Sequence, residues 1–272
     1  MKKMVLLLLI TLNTAISYTY ETNKFPYTLD LLRDTFMLSA GTLGSGVSFF
    51  LGSNRTSVTD TDIQNLLRNN ISSFDRPAIY NWSPLASTAS DILLYTMVSL
   101  PVLLTVSPVI DSQWEQVSII IIMYAETLLF NFGLNNSFKR LIGRGRPYLY
   151  NTNITLTEKI KAGNDPFESF YSGHTCFTFG SAVFLAKVFS DIYPDSPWKY
   201  AVWVASLTTA TSAGILRFIA GKHFPTDVVA GAIIGSIIGF MIPMIHEEIN
   251  IQGVSIVPQL GENTGFALSI KI

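Results

Sequence analysis

The sequence predicts an all-α fold: a polytopic transmembrane helical bundle of about five to six membrane helices, carrying a short β-hairpin tail. Three observations predict it. Of 272 residues, 49% are hydrophobic and only 14% are charged, whereas soluble domains carry about 25% charge; so few charges cannot coat a globule of this size. Two uncharged runs, 92–110 (ILLYTMVSLPVLLTVSPVI) and 228–245 (VVAGAIIGSIIGFMIPMI), would each extend roughly 27–28 Å as helices, close to the hydrocarbon core of a bilayer at about 30 Å. Weaker apolar segments lie at 117–136, interrupted by Glu126, at 174–190, with Lys187 near its end, and at 200–219.

Taken in order, the chain begins with Lys2 and Lys3, an apolar run from Met4 to Ile10, and small residues up to Ser17. That is the pattern of a secretory signal peptide, 1–17. In the N-terminal region 18–90, the Gly-, Ser- and Thr-rich run 35–54 is an interfacial or membrane helix, with the interfacial placement preferred. Residues 55–90 are polar and read as a short amphipathic helix and a loop outside the bilayer. The helical core follows at 91–247. In the tail, 248–272, Val254–Val257 and Phe266–Ile270 alternate as strands do, around Gly261-Glu262-Asn263.

Composition also excludes function classes. A formal net charge of −1 leaves no footprint for nucleic acid. One cysteine, Cys176, rules out an internal disulfide framework and a cysteine-built zinc site, and three histidines make a histidine-rich metal cage improbable.

The chemistry-bearing residues fall into clusters. Lys139-Arg140-Leu141-Ile142-Gly143-Arg144-Gly145-Arg146-Pro147 puts cations directly after an apolar helix, and its glycines let the backbone turn so that several cations converge on one anion. A basic loop at the lipid headgroups is the plainer reading. Tyr171-Ser172-Gly173-His174 precedes another span; Ser172 suits a helix N-cap, where amides and the helix dipole favour an anion. Capping alone would also explain that serine. Arg217 to Asp227 (RFIAGKHFPTD) bridges two spans. His223 and Asp227, four apart, share a helix face on which a carboxylate can fix the imidazole tautomer, and Pro225 suits the first turn of the next helix. A satisfied interfacial histidine beside a snorkelling arginine explains this segment equally well.

Together, Lys-x6-Arg-Pro (Lys139, Arg146, Pro147), Ser-Gly-His (172–174) and Arg-x5-His-x3-Asp (Arg217, His223, Asp227) resemble the type 2 phosphatidic acid phosphatase superfamily, over about Ser90 to Ile245. Two positions depart from the family pattern. Tyr171 stands where proline is usual, and Leu216 stands where a serine hydroxyl is usual before the arginine. The resemblance implies a membrane-embedded, metal-independent phosphatase acting on a lipid phosphomonoester or diphosphate, with the lipid substrate and the bilayer as partners and no cofactor. It implies His223 as a nucleophile forming a phosphohistidine, Asp227 as its orienting carboxylate, and His174 as the acid that protonates the leaving group. Lys139, Arg146, Arg217, Ser172 and Gly173 would bind the phosphoryl group. Arg140 and Arg144 lie outside the pattern and are assigned to a lipid headgroup.

Alternating helices would bring the clusters to one membrane face, so the expected substrate is amphiphilic: phosphatidic acid, phosphatidylglycerol phosphate, a polyprenyl diphosphate or a lipid A phosphate. The localisation implied is a bacterial-type inner membrane with the site facing the periplasm. If 35–54 crosses after a cleaved leader, parity puts the site in the cytoplasm instead. Secreted acid phosphatases and vanadate-dependent haloperoxidases share the pattern, and a non-catalytic transport or assembly protein is the reading from another class. Glu126, roughly 20 Å along the helix from Lys139, is expected to be a protonated or hydrogen-bonded packing residue, although intramembrane acids default to function. Gly231, Gly235 and Gly239 form a small-residue stripe suited to close helix packing.

Overall fold

The computed structural model describes residues 25–50, 70–162 and 165–247, isolated positions 59, 61, 62 and 66, and strands at 254–259 and 265–270. The leader 1–17 and most of 51–69 lie outside the described residues. The helices are α1 (Leu31–Phe50), α2 (Pro84–Ser99), α3 (Val106–Ile110), α4 (Trp114–Ile142), α5 (Leu156–Lys161), α6 (Gly173–Ile192), α7 (Trp198–Ile219) and α8 (Pro225–His246). A 3-10 segment, Leu100–Thr105, joins α2 to α3, where Pro101 removes an amide that a continuing α-helix would use. Five segments are long and apolar enough to cross a membrane: Pro84–Ile110, Trp114–Tyr150, Gly173–Ile192, Trp198–Ile219 and Pro225–His246. The chain is a multi-pass membrane protein.

The bundle is apolar outside as well as inside. Met123, Ile120, Phe184 and Val188 pack a core between α4, α6 and α8, while Ile92, Val204, Ile215, Ile233 and Ile237 face outward, as a lipid-facing surface requires. The glycine stripe seats α8 on α6. Cβ atoms at Gly231, Gly235 and Gly239 would stand 2.6, 2.2 and 2.2 Å from the carbonyl oxygens of Ser172, Cys176 and Gly180, so only glycine permits this approach.

Helix α1 covers much of the 35–54 run expected to be an interfacial or membrane helix. It starts at Leu31 and runs alongside α4 in the same direction: Asp34 neighbours the level of Glu126, while Gly41 meets Leu129 and Gly44 meets Gly133. The Ser137 hydroxyl donates to Gly44 O at 3.2 Å. The small residues Gly41 and Gly44 allow this close approach of α1 to α4. The tail forms the expected hairpin, β1 (Val254–Gln259) pairing antiparallel with β2 (Gly265–Ile270) from Val254 opposite Ile270 to Gln259 opposite Gly265.

Candidate active site

Three backbone bonds between loops draw the clusters together. Tyr148 N donates to Gly221 O at 3.0 Å, Ser172 N to Asp227 O at 3.0 Å, and Ser169 N to Arg144 O at 2.9 Å. Gly221 allows the first of these, since its φ is +69° and a Cβ there would stand 2.2 Å from Asn81 O. Gly143, at φ +60°, ends α4 in the left-handed cap conformation that frees the chain to turn into the arginine loop.

The result is a cavity of about 280 Å³ lined by Lys139, Arg146, His174, Arg217, Lys222 and His223, with Asp91 and Asp165 among its other walls. Every cation and both histidines that the sequence pattern selects are therefore on one surface. Lys222 adds a further cation. Its ammonium lies over the rings of Tyr148 and Trp82, and burial together with Arg146 and Arg217 lowers its pKa to about 8.

His223 is almost wholly buried and its tautomer is set from both sides. Nδ1 lies 2.8 Å from the Ser169 carbonyl, which can only accept, so Nδ1 carries the proton. Nε2 lies 3.0 Å from Arg146 Nη1, which can only donate, so Nε2 holds the lone pair. Burial, and then the charges of Arg146, Arg217 and Lys139, hold its pKa well below the usual histidine value. A neutral imidazole with its lone pair on the cavity side is the state a nucleophile needs.

Asp227 does not orient His223 directly. Its Oδ2 is 3.8 Å from Nδ1, because the Ser169 carbonyl occupies that position. Asp227 instead accepts from the Ser169 hydroxyl at 2.6 Å, the Phe224 amide at 2.9 Å and Arg144 Nη1 at 2.6 Å. It positions Ser169 and the 221–224 turn, and through them the imidazole.

Ser172 and Gly173 are buried and do not line the cavity. The Ser172 hydroxyl accepts from the Thr175 amide and the Thr175 hydroxyl, at 3.4 and 2.9 Å, so its work is capping α6. A Cβ at Gly173 would meet Asn135 Oδ1 at 2.8 Å, and the Asn135 amide group itself donates to Tyr171 O at 2.8 Å. Arg144 is also not a headgroup contact. It bridges Asp227, Thr226 and Asp75 at 2.6–2.8 Å and stacks on Phe224. Burial would raise the Asp75 carboxyl, but the bonds from Arg144 and Thr226 outweigh it and hold its pKa below the ordinary range.

Sequence reasoning missed Asp91. Its Oδ1 accepts from His174 Nε2 at 2.6 Å and lies 3.6 Å from Arg217 Nη1. The hydroxyls of Ser87, one turn earlier, and of Ser90, the preceding residue, lie 3.3 Å from that same nitrogen, so hydroxyls from α2 reach Arg217 although Leu216 replaces the usual serine. The signal lay in the spacing: Ser87 and Asp91 are four apart and share a helix face. Asp165, in the loop before the second motif, was missed too. It is bonded to Arg146. Burial raises its pKa, yet Arg146 and Lys139 bring it below the ordinary value.

Comparison with known proteins shows what this region is similar to. Residues 120–250 match the family model described as the PAP2 superfamily. The chain is 36% identical over 110 residues to a protein of Rhizobium johnstonii named lipid A 1-phosphatase, covering 40% of this chain and 41% of that one. A Bacteroides thetaiotaomicron protein named lipid A 4'-phosphatase is 29% identical over 154 residues, covering 56% of this chain and 65% of its own. The chain thus spans about two fifths to two thirds of the length of these relatives. A transmembrane PAP2 type phosphatidylglycerolphosphate phosphatase of Bacillus subtilis, known from a crystal structure, superposes with a TM-score of 0.48 at 17% identity, covering 80% of this chain and 98% of that one.

Proposed function

We propose that the protein is a membrane lipid phosphatase that cleaves a phosphomonoester or diphosphate by covalent catalysis at His223. One observation carries this reading: the fixed tautomer of His223, whose Nε2 lone pair opens onto a cavity lined by Lys139, Arg146, Arg217 and Lys222. These cations neutralise the charge of the phosphoryl oxygens, the role magnesium plays in other phosphoryl-transfer sites, so the chemistry proceeds without a metal. Nε2 attacks phosphorus and the bond to the leaving oxygen breaks. His174 gives that oxygen a proton, then takes one from the water that cleaves the phosphohistidine. Asp91 holds His174 in place.

The substrate is a phosphorylated amphiphile, in keeping with the names of the relatives. A second cavity of about 400 Å³ adjoins the first and shares Ser87, Ala162 and Lys222 with it; Trp82, Thr88, Glu158 and Lys161 complete much of its wall. An aromatic platform ringed by polar groups suits a bulky polar headgroup such as a phosphorylated sugar better than bare phosphatidic acid.

The site faces outward from the inner membrane in this proposal. With α1 lying along α4, that orientation puts Leu31, the start of α1, at the inner end of the bundle.

The experiment is phosphate release by the detergent-purified protein from phosphatidic acid, phosphatidylglycerol phosphate, a polyprenyl diphosphate and lipid A. Wild type is expected to release phosphate and to retain radiolabel from the phosphate on alkaline quench, which a phosphohistidine survives, and His223→Ala to do neither while eluting as a folded protein. Undiminished release by His223→Ala would overturn the proposal.

A further inference from the structure

At the end of the bundle opposite the cavity, three elements bring potential metal ligands together. Tyr27 bridges Glu247 and Thr28 N donates to His246 O at 3.0 Å, which holds the start of α1 against the end of α8. Asp34 in the first turn of α1, Glu126 in α4 and His246 in the last turn of α8 thereby meet. All three are buried, His246 and Glu126 completely.

The facing atoms at this junction are Lewis bases, and of them only Asp34 Oδ1 has a proton donor, Arg33 Nε at 2.6 Å. His246 Nδ1 is 2.9 Å from Ile242 O, an acceptor, so Nδ1 carries the proton and Nε2 holds a lone pair. That lone pair sits 3.2 Å from Asp34 Oδ1 and 3.4 Å from Glu126 Oε2. Neither Glu126 oxygen nor His246 Nε2 has a hydrogen-bond partner, so of the protonated or hydrogen-bonded packing residue expected from the sequence the hydrogen-bonded form is not what the structure shows. Unpaired carboxylates within a bilayer are expensive, and a cation is the species that satisfies all three atoms at once.

We infer that Asp34, Glu126 and His246 form a binding site for one divalent transition-metal ion, zinc by geometry. Donors about 2.0–2.1 Å from a tetrahedral ion lie about 3.3–3.4 Å apart, and the two measured edges, 3.2 and 3.4 Å, bracket that value. The donor atoms of all three residues lie within 4.8 Å of one another. An imidazole donor selects zinc or its neighbours over magnesium and calcium, which take oxygen.

The surroundings are those of ligands already held in place. The backbone carbonyl on the far nitrogen of His246 is the usual outer partner of a metal-bound histidine. Asp34 is oriented by the Asp30 amide at 2.8 Å and by Arg33 Nε at 2.6 Å. Arg33, the charged group that faces the cluster, is itself pinned by Ile245 O and Thr28 O. Asp34 is the most exposed of the three side chains, at 10%, and forms the entry. The 22-residue length of α8 separates this site from His223 by about 33 Å, so the ion is a clasp joining the first described helix to the last and takes no part in catalysis.

The test uses full-length, tag-free protein in detergent, stripped with chelator and reloaded with zinc or cobalt(II), beside Glu126→Gln and His246→Gln. The expected result is one equivalent of zinc by mass spectrometry, a four-coordinate cobalt(II) visible spectrum, and a wild-type thermal midpoint that falls on chelation. Each variant should bind metal about tenfold or more weakly, with a midpoint indifferent to chelator. Should a variant fail to fold, the wild-type stoichiometry, spectrum and chelator response decide alone. Wild type that retains no stoichiometric metal and melts identically with and without chelator overturns the site, as it would if a shared proton joins the three groups. Phosphate release well below the midpoint should persist in chelator, so loss of this site and loss of the phosphatase reading are separate outcomes.

Discussion

Each nitrogen of His223 has a partner that can play only one role, and that determines how the residue responds to pH. Its reactive form is the neutral one, present above its pKa and lost as pH falls through it. Burial and the facing cations hold that pKa well below 6.5, so the acid limb of kcat/KM should also lie well below pH 6.5. Removing one cation relaxes the shift: Arg146→Gln should move the acid limb toward 6.5 as well as lowering the rate. A limb that stays in place in that variant would show that the limb belongs to another group. Lys222 acts at the other end of the range. Its charged form is lost as pH rises through about 8, so KM should climb above pH 8 in wild type and stay flat there in Lys222→Arg, whose guanidinium remains charged. None of this was readable from residue types. Lys139, Arg146, Arg217, His174 and His223 could be picked out by spacing, but the partner of His223 is a main-chain carbonyl, which no side-chain pattern encodes; spacing pointed to Asp227 for that place.

Helix packing carries the site because the glycine stripe of α8 meets the backbone of α6. The carbonyls of Cys176 and Gly180 cannot retreat from a new methyl group as a flexible side chain could. Gly235→Ala should therefore lower stability by about 1–3 kcal/mol or more, read as a lower denaturation midpoint in detergent, and should displace His174 relative to His223, lowering kcat. A Cβ at Gly46 meets nothing within 4 Å, so Gly46→Ala is the control and should be near neutral or slightly stabilising. The stripe of three glycines was legible in the sequence because helical periodicity shows which residues share a face. The course of α1 was not. Small residues look alike whether they meet lipid headgroups or a neighbouring helix, and only the contact with Leu129 and Gly133 of α4 distinguishes the two. The clamp of Arg144 on Asp75 and Asp227 was illegible for a similar reason, since it joins residues 69 and 83 positions apart, a separation that no local pattern spans.

At the scale of the molecule, the two ends of the bundle differ in charge and chemistry. One end carries the cations of the catalytic cavity; the other carries Asp34, Asp111, Asp191, Asp195 and Glu247. The excess of Lys and Arg at the catalytic end would by itself place that end in the cytoplasm. Its cations, however, are committed to the cavity and to Asp75, Asp165 and Asp227, so they are poor witnesses to topology. Orientation must be read from chemistry at exposed positions instead, and the chain is well suited to it, because its single cysteine, Cys176, is completely buried and gives no background. Thr152 is exposed at the catalytic end and Asp195 at the opposite end. In intact cells a membrane-impermeant maleimide should label Thr152→Cys and leave Asp195→Cys unmodified until the membrane is permeabilised. The reverse pattern would put the cavity in the cytoplasm, where its substrate must come from the inner leaflet, and the outward-facing proposal would fall while the chemistry at His223 stood.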